Sequence, residues 1–300
     1  MDGDGKDDVI TGHYWPGDIF LFRGEGSGEF GEMENLQDET GRNLNAGEPW
    51  ENEDEPRMAS LAAAPYATDF DGDGDFDMLI GNIVGEIVLM ENVGSATEPS
   101  FSTDRRTLQA AGETIRVGGG DSGPVFEDWN ADGKRDLLTG AGDGSVWFFE
   151  NVGEDTAPVF AEGVALVEAH EDAWTPYANG TEPPRPGLRT KVCVTDYDGD
   201  GLVDLLVGGY QREKGVEPDL DESQVALRDK LRREREEIQG RLIELYDAEE
   251  QDEEAVAELN DRHLEVREAL TPLEARDISH GFVWFLRRLP ETSATAGSGF

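Results

Sequence analysis

Short apolar runs alternate with clusters of acidic residues and glycine along most of the chain. Aliphatic runs closed by a glycine lie at 9–12, 78–81, 137–140 and 205–208, ending at Gly12, Gly81, Gly140 and Gly208. A second apolar run, opened by a glycine, follows at 17–22, 85–90 and 144–149, and a fourth stands much later at 281–286. Their length and period-two alternation predict strands returning from tight turns. Another strand is predicted ahead of each later copy, at 61–68, 124–127 and 188–195. Copies two and three continue through Glu-Asn-Val-Gly at 91–94 and 150–153, then Pro-x-Phe at 99–101 and 158–160. The unit therefore reads strand, acidic loop, strand, turn, strand, asparagine-glycine turn, strand.

The fourth copy departs from this unit. Arg212 stands where a glycine should open the returning strand, and between 221 and 270 the apolar period becomes helical. Leu227, Leu231, Ile238, Leu242 and Leu245 mark one stripe, and Val256, Leu259, His263, Val266 and Leu270 mark a second with heptad spacing. With the polar stretch 248–252 as its turn, this predicts a helical hairpin inserted at 215–278, with His263 on its apolar seam. The charged remainder reads as a solvated face with i,i+4 pairs, and the hairpin is a candidate docking arm for a partner.

Aligning the acidic loops brings Asp4, Asp73, Asp132 and Asp200 into register, at intervals of 69, 59 and 68 residues. A period of this length points to one repeating array rather than separate domains. Four short antiparallel strands per repeat predict an all-β fold, a β-propeller of four-stranded blades at about 1–58, 59–120, 121–186 and 187–300 within one domain spanning 1–300. The first copy lacks its first strand. The last stops at Gly297-Ser-Gly-Phe300, an echo of Gly26-Ser-Gly-Glu-Phe30, where its fourth strand is expected to begin. The expectation is therefore a piece of a larger array with a segment upstream.

The loops carry the candidate chemistry. Residues 69–81 read D-F-D-G-D-G-D-F-D-M-L-I-G, with acids at positions 1, 3, 5 and 9 and glycine at 6. Carboxylates held this close repel one another, and a hard dication taking six to eight oxygens at about 2.3–2.6 Å makes the arrangement favourable. Asp69, Asp71, Asp73 and Asp77 are the candidate side-chain ligands of loop two; Asp128, Asn130, Asp132 and Asp136 those of loop three; Asp196, Asp198, Asp200 and Asp204 those of loop four. The backbone carbonyls of Asp75, Lys134 and Leu202 supply a further oxygen to each. Loop one keeps Asp2, Asp4 and Asp8 but has no residue at its first position, so three calcium sites are complete and a fourth is incomplete. The final acid falls at position 9 and a strand follows, which excludes an EF-hand.

The pattern D-x-D-G-D-G-x-x-D, an aliphatic triplet and glycine, then G-x-V-x-x-F-x-N-x-G, resembles the FG-GAP (VCBS) repeats of integrin alpha subunits and secreted bacterial proteins. The resemblance covers most of the chain outside the insertion. It implies an integrin-alpha-like propeller whose Ca²⁺ loops join the first and second strands of each blade, and an extracellular, cell-surface or periplasmic location. It does not fix a task, since such repeats serve adhesion, glycan binding and, attached to other domains, enzymes.

Composition narrows the choice. Lys and Arg number 25 against 67 Asp and Glu, a net charge of −42, so a nucleic-acid partner would meet electrostatic repulsion. No apolar run is long enough to span a membrane as a helix. The single cysteine, Cys193, excludes an intrachain disulfide and reads as a small packing residue in a strand. No phosphate-binding glycine loop, nucleophile elbow or zinc-protease motif is present. The expected function is a noncatalytic binding or adhesion module for a protein or glycan. The alternatives are a calcium-dependent polysaccharide lyase or hydrolase, which would need its carboxylates in one cleft, and a structural unit of a larger surface protein.

Overall fold

A computed structural model describes residues 1–47, 58–169, 174–183, 187–246 and 252–289. Each repeat forms its own antiparallel sheet. The first holds β1 (Val9–Gly12), β2 (Ile19–Gly26) and β3 (Glu29–Asn35), and the second β4 (Ala64–Thr68), β5 (Asp77–Gly81), β6 (Ile87–Met90) and β7 (Arg106–Thr107). A two-stranded ribbon, β8 (Gln109–Ala110) with β9 (Glu113–Thr114), follows. The third sheet holds β10 (Gly123–Glu127), β11 (Asp136–Gly140), β12 (Val146–Phe149) and β13 (Val164–Val167). The fourth holds β14 (Leu188–Thr195), β15 (Asp204–Glu213) and β16 (Ile278–Leu286). Among the described residues, sheets two and three thus have the expected four strands, and sheets one and four have three, arranged in chain order.

Register ties each acidic loop to its sheet. Thr68 pairs with Asp77, Glu127 with Asp136 and Thr195 with Asp204, so every complete loop joins the first two strands of its repeat. Each strand pair leaves one face toward the preceding sheet and one toward the next. Met78, Ile80, Val88 and Met90 meet Ile19 and Leu21 of sheet one, while Leu79, Ile87 and Leu89 meet Phe126, Leu137 and Phe149 of sheet three. Leu138 and Val146 in turn meet Leu205 and Val207 of sheet four. Burial on both faces makes these strands apolar on either side, where the sequence reading expected a period-two alternation.

The recurring loop glycines answer to the neighbouring sheet. A Cβ on Gly12, Gly81 or Gly140 would sit 2.0, 2.4 or 2.1 Å from the backbone oxygen of Ala63, Ser122 or Thr190, at the start of the next repeat. Ser122 and Thr190 complete the seam with buried hydroxyls: Asn82 N donates to Ser122 Oγ at 3.0 Å, and Ala141 N donates to Thr190 Oγ1 at 2.9 Å. The residue before each adopts a left-handed backbone: Ala62, Asp121 and Arg189 have φ of 55, 54 and 50°. Their N–H groups donate to the carbonyls of Tyr14, Ile83 and Gly142. The cost of this non-glycine conformation recurs at one register position and is offset by that bond.

Several expectations change in detail. The first strand of repeat two begins at Ala64 rather than at Leu61, because the left-handed Ala62 interrupts it. Strand β15 does not stop at Gly208 but runs on to Glu213. Cys193 lies on β14 as expected but is exposed rather than packed. The turn expected at 248–252 falls, except for Asp252, outside the described residues, as does the echo at 297–300.

Residues 176–182 and 212–280 form a second compact unit. It contains α1 (Glu222–Tyr246) and α2 (Glu253–Leu270), whose packed stripe buries Leu231, Ile238, Leu242, Val266 and Leu270, with Leu273 beyond. Leu227, expected in that stripe, is 47% exposed. His263 is half-buried. The Asp252 carboxylate caps α2 by accepting from Ala255 N, and Arg262 pairs with Glu234 across the helices.

Candidate metal centre

All four loops are folded by the same local rule. The side chain at position 3 accepts the backbone N–H two residues ahead: Asp4 N to Asp2, Asp73 N to Asp71, Asp132 N to Asn130 and Asp200 N to Asp198, at 2.9–3.2 Å. The next step repeats it, with Lys6, Asp75, Lys134 and Leu202 donating to Asp4, Asp73, Asp132 and Asp200. Glycine at position 6 keeps φ positive at Gly5, Gly74, Gly133 and Gly201, which closes the turn. The ladder bends the chain so that its carboxylates converge.

The acid at position 9 has a second task. In loop two, Asp77 Oδ2 accepts from Phe70 N at 2.9 Å and Oδ1 from Asn92 N at 2.8 Å, joining the loop to the end of the third strand. Asp136 does the same with Trp129 N and Asn151 N, and Asp204 with Tyr197 N and Arg288 N. Asp8 accepts from Gly24 N and from the N-terminal ammonium. Burial raises the Asp77 carboxyl to about 6, with the charges of Asp71 and Asp75 adding to it and the two N–H bonds opposing it. Burial likewise raises Asp136. Such carboxylates hold their charge at a cost that a cation would remove.

Convergence differs between loops. Carboxylate oxygens of Asp69, Asp71 and Asp77 lie within 4.8 Å of one another, as do those of Asp196, Asp198 and Asp204. Asp73 and Asp200, expected as ligands of the same loops, lie outside these trios. Asp128, Asp132 and Asp136 of loop three form no such trio among the described residues; Asn130 holds its third position and donates toward Asp132 instead. Loop two has an additional acid at position 7: one oxygen of Asp75 is buried without a hydrogen-bond partner, and burial with the charge of Asp73 raises its pKa. An oxygen-only donor set with an unsatisfied buried carboxylate oxygen fits a hard dication such as calcium.

Cationic side chains, absent from the sequence reading, stand beside the other loops. Arg287 pairs with Asp198 at 2.7 Å and with Asp200 at 2.8 Å, and holds the Asp200 carboxyl below its usual range. Arg23 pairs with Asp2 at 2.9 Å, and Lys6 with Asp4 at 3.0 Å. Arg23 and Arg287 occupy one repeat position, directly after the apolar run of the third strand. Glu91 and Glu150 hold it in repeats two and three, so this charge reversal was available in the repeat alignment. In loop three the Lys134 ammonium donates to the carbonyls of Asn151 and Gly153 and lies 3.6 Å from Asp132. Arg135 runs to the preceding repeat, donating to Asp69 O at 2.6 Å, while Asp155 holds its other side.

Comparison with protein families agrees with this geometry. A model described as an FG-GAP-like repeat matches residues 128–207, from the opening acid of loop three to the strand after loop four. Residues 128–207 carry the FG-GAP-like repeat pattern. No curated protein matches it. The FG-GAP match takes in two whole acidic loops and the seam between sheets three and four. Repeats one and two share its loop ladder, its clamping aspartate and its loop glycine. Among the described residues, no helix is long and apolar enough to cross a membrane.

Proposed function

We propose that the chain is a calcium-stabilised, propeller-type array of FG-GAP repeats that acts as a noncatalytic extracellular binding module for a protein or glycan. The observation that carries the metal part is the convergence of Asp69, Asp71 and Asp77 within 4.8 Å, beside the unpartnered Asp75 oxygen. Calcium bound there neutralises carboxylates that otherwise repel one another, and so fixes the loop between the first two strands of the repeat. The binding part rests on the kinship of the repeats. Each acidic loop is wired to its own sheet through its position-9 aspartate, which supports a scaffold rather than a shared reaction centre.

Melting in calcium against excess chelator tests this reading. Extracellular calcium modules have dissociation constants of about 10⁻⁴–10⁻³ M, so each site at tenfold excess adds about 1.4 kcal/mol. Two substitutions separate ligand from clamp. Asp71→Asn keeps its one acceptor bond and is expected to shrink the calcium gain while leaving the chelated protein unchanged. Asp77→Asn sets an amide N–H against a backbone N–H and is expected to cost about 1–3 kcal/mol even in chelator. Identical melts with and without calcium, with no metal by elemental analysis, contradict the calcium reading. A glycan array and a surface-protein panel, each run with and without chelator, test the binding role.

A further inference from the structure

Asn179 and Gly180 are the one Asn-Gly pair in the sequence, and they lie at the tip of a turn in the compact unit that contains the helices. Ala178 O accepts from Thr181 N at 3.1 Å and from Thr181 Oγ1 at 2.6 Å, which closes the turn at 178–181. Gly180 takes the left-handed backbone that the turn needs, with φ of 75°. Just before the turn, Tyr177 is tied to the end of β15: Tyr177 N donates to Arg212 O at 2.9 Å, and Lys214 N donates to Tyr177 O at 2.8 Å. The turn is thus held at its base, and its tip is open. Asn179 is exposed, and its carboxamide has no hydrogen-bond partner among the described residues.

Glu213, the last residue of β15, reaches the same turn. Its Oε1 accepts from Gly180 N at 3.3 Å, and its Oε2 lies 2.9 Å from His280 Nε2, so both carboxylate oxygens are engaged. In an Asn-Gly pair the glycine nitrogen can close a five-membered ring on the asparagine carboxamide carbon, because no Cβ on the glycine obstructs the approach. An amide nitrogen is a poor nucleophile while it keeps its proton. A carboxylate within hydrogen-bond reach of that proton is placed as a general base, and Glu213 stands there.

We propose that Asn179 is a self-modification site, at which Gly180 N displaces the carboxamide nitrogen with Glu213 as the base. The Gly180 N–H proton passes to Glu213, the bond from Gly180 N to Asn179 Cγ forms, and the Asn179 Cγ–Nδ2 bond breaks. The proton returns from Glu213 to the departing nitrogen, which leaves as ammonia. Water then opens the succinimide ring at either carbonyl carbon. Attack at the former side-chain carbonyl gives aspartate on the original backbone; attack at the main-chain carbonyl gives isoaspartate, whose backbone is one carbon longer. Water is the only co-reactant, and the step does not depend on calcium or on any external ligand. Either product sets a new carboxylate at the turn beside Glu213, where like charges repel.

Incubation of the full chain at neutral pH, followed by peptide mass spectrometry with aspartate and isoaspartate separated by chromatography, tests the site. The expected result is conversion of Asn179 to both products, with one ammonia released per chain converted. Glu213→Gln keeps an acceptor oxygen for Gly180 N and removes the base, so native circular dichroism is expected, with conversion slowed about tenfold or more. The wild-type chain unfolded in urea loses the Glu213 contact and is expected to convert more slowly than the folded chain. Asn179 that stays intact in the folded wild type, over the time in which a free Asn-Gly-Thr peptide converts, overturns the proposal. Conversion of Glu213→Gln at the wild-type rate overturns it too, as does an unfolded chain that reacts as fast as the folded one.

Discussion

The acidic loops show how one side chain can serve two purposes. The aspartate at position 9 is both a candidate metal ligand and the buried acceptor that binds its loop to the third strand, so folding alone accounts for its presence in every copy. At the neighbouring position the repeats divide, with Glu91 and Glu150 inside and Arg23 and Arg287 at the two ends. Arg287 engages two of the candidate ligands of loop four, and a cation entering there must displace it. An exposed pair of this kind is weak, and its loss corresponds to roughly a two- to fivefold change in affinity. Arg287→Gln is therefore expected to tighten calcium at loop four by that factor, and Glu91→Arg to weaken it at loop two. Calorimetric titration reads both; an Arg287→Gln chain with unaltered binding would show that the guanidinium leaves the site at no cost. The acids themselves were legible from spacing alone, because the metal-loop pattern is local in sequence. Spacing did not show Arg287, which lies 87 residues from Asp200; its one trace in the sequence was the charge reversal at that repeat position.

At the scale of the element, strands and helices were legible for different reasons. The strands announce themselves through glycine-bounded aliphatic runs, and the glycines do so because a neighbouring backbone lies within 2.0–2.4 Å of where a Cβ would sit. The left-handed residues that begin each seam stayed hidden: Ala62, Asp121 and Arg189 share a conformation and no chemistry. The helices were visible through the change of period, and their stripe packs as a core of its own around Leu242 and Val266. A separate core implies a separate melting transition. Leu242→Ala removes a side chain 7% exposed, and large-to-small changes at such sites cost about 2–5 kcal/mol. The expected outcome is loss of helical circular dichroism at lower temperature, with the β signal melting where it does in the wild type. A single transition shifted as a whole would show instead that helices and sheets unfold together, and would count against the insertion as an independent element.

For the molecule as a whole, charge is the dominant long-range quantity. With 67 acidic against 25 basic residues, the folded state concentrates like charge that the unfolded chain would spread out. Two remedies are available, and they differ in range. Dissolved salt shortens the Debye length from about 10 Å at 0.1 M to about 3 Å at 1 M, which relieves repulsion between distant surface acids. Calcium bound at the loops, as proposed, would act on carboxylates within 4.8 Å of one another, one of them the buried Asp77, where screening by dissolved ions reaches poorly. The two effects should accordingly add. In excess chelator, raising NaCl from about 0.05 to about 2 M is expected to raise the melting temperature, and calcium is expected to raise it again at the higher salt. Magnesium, which demands near-octahedral geometry at about 2.0–2.1 Å and gives up its water reluctantly, is expected to reproduce the salt effect and little of the second increment. If calcium acted only as a counterion to the surface, its increment would vanish at 2 M NaCl and magnesium would match it at low salt. That pair of results would remove the loops from the account of stability and leave the acidic surface alone to explain it.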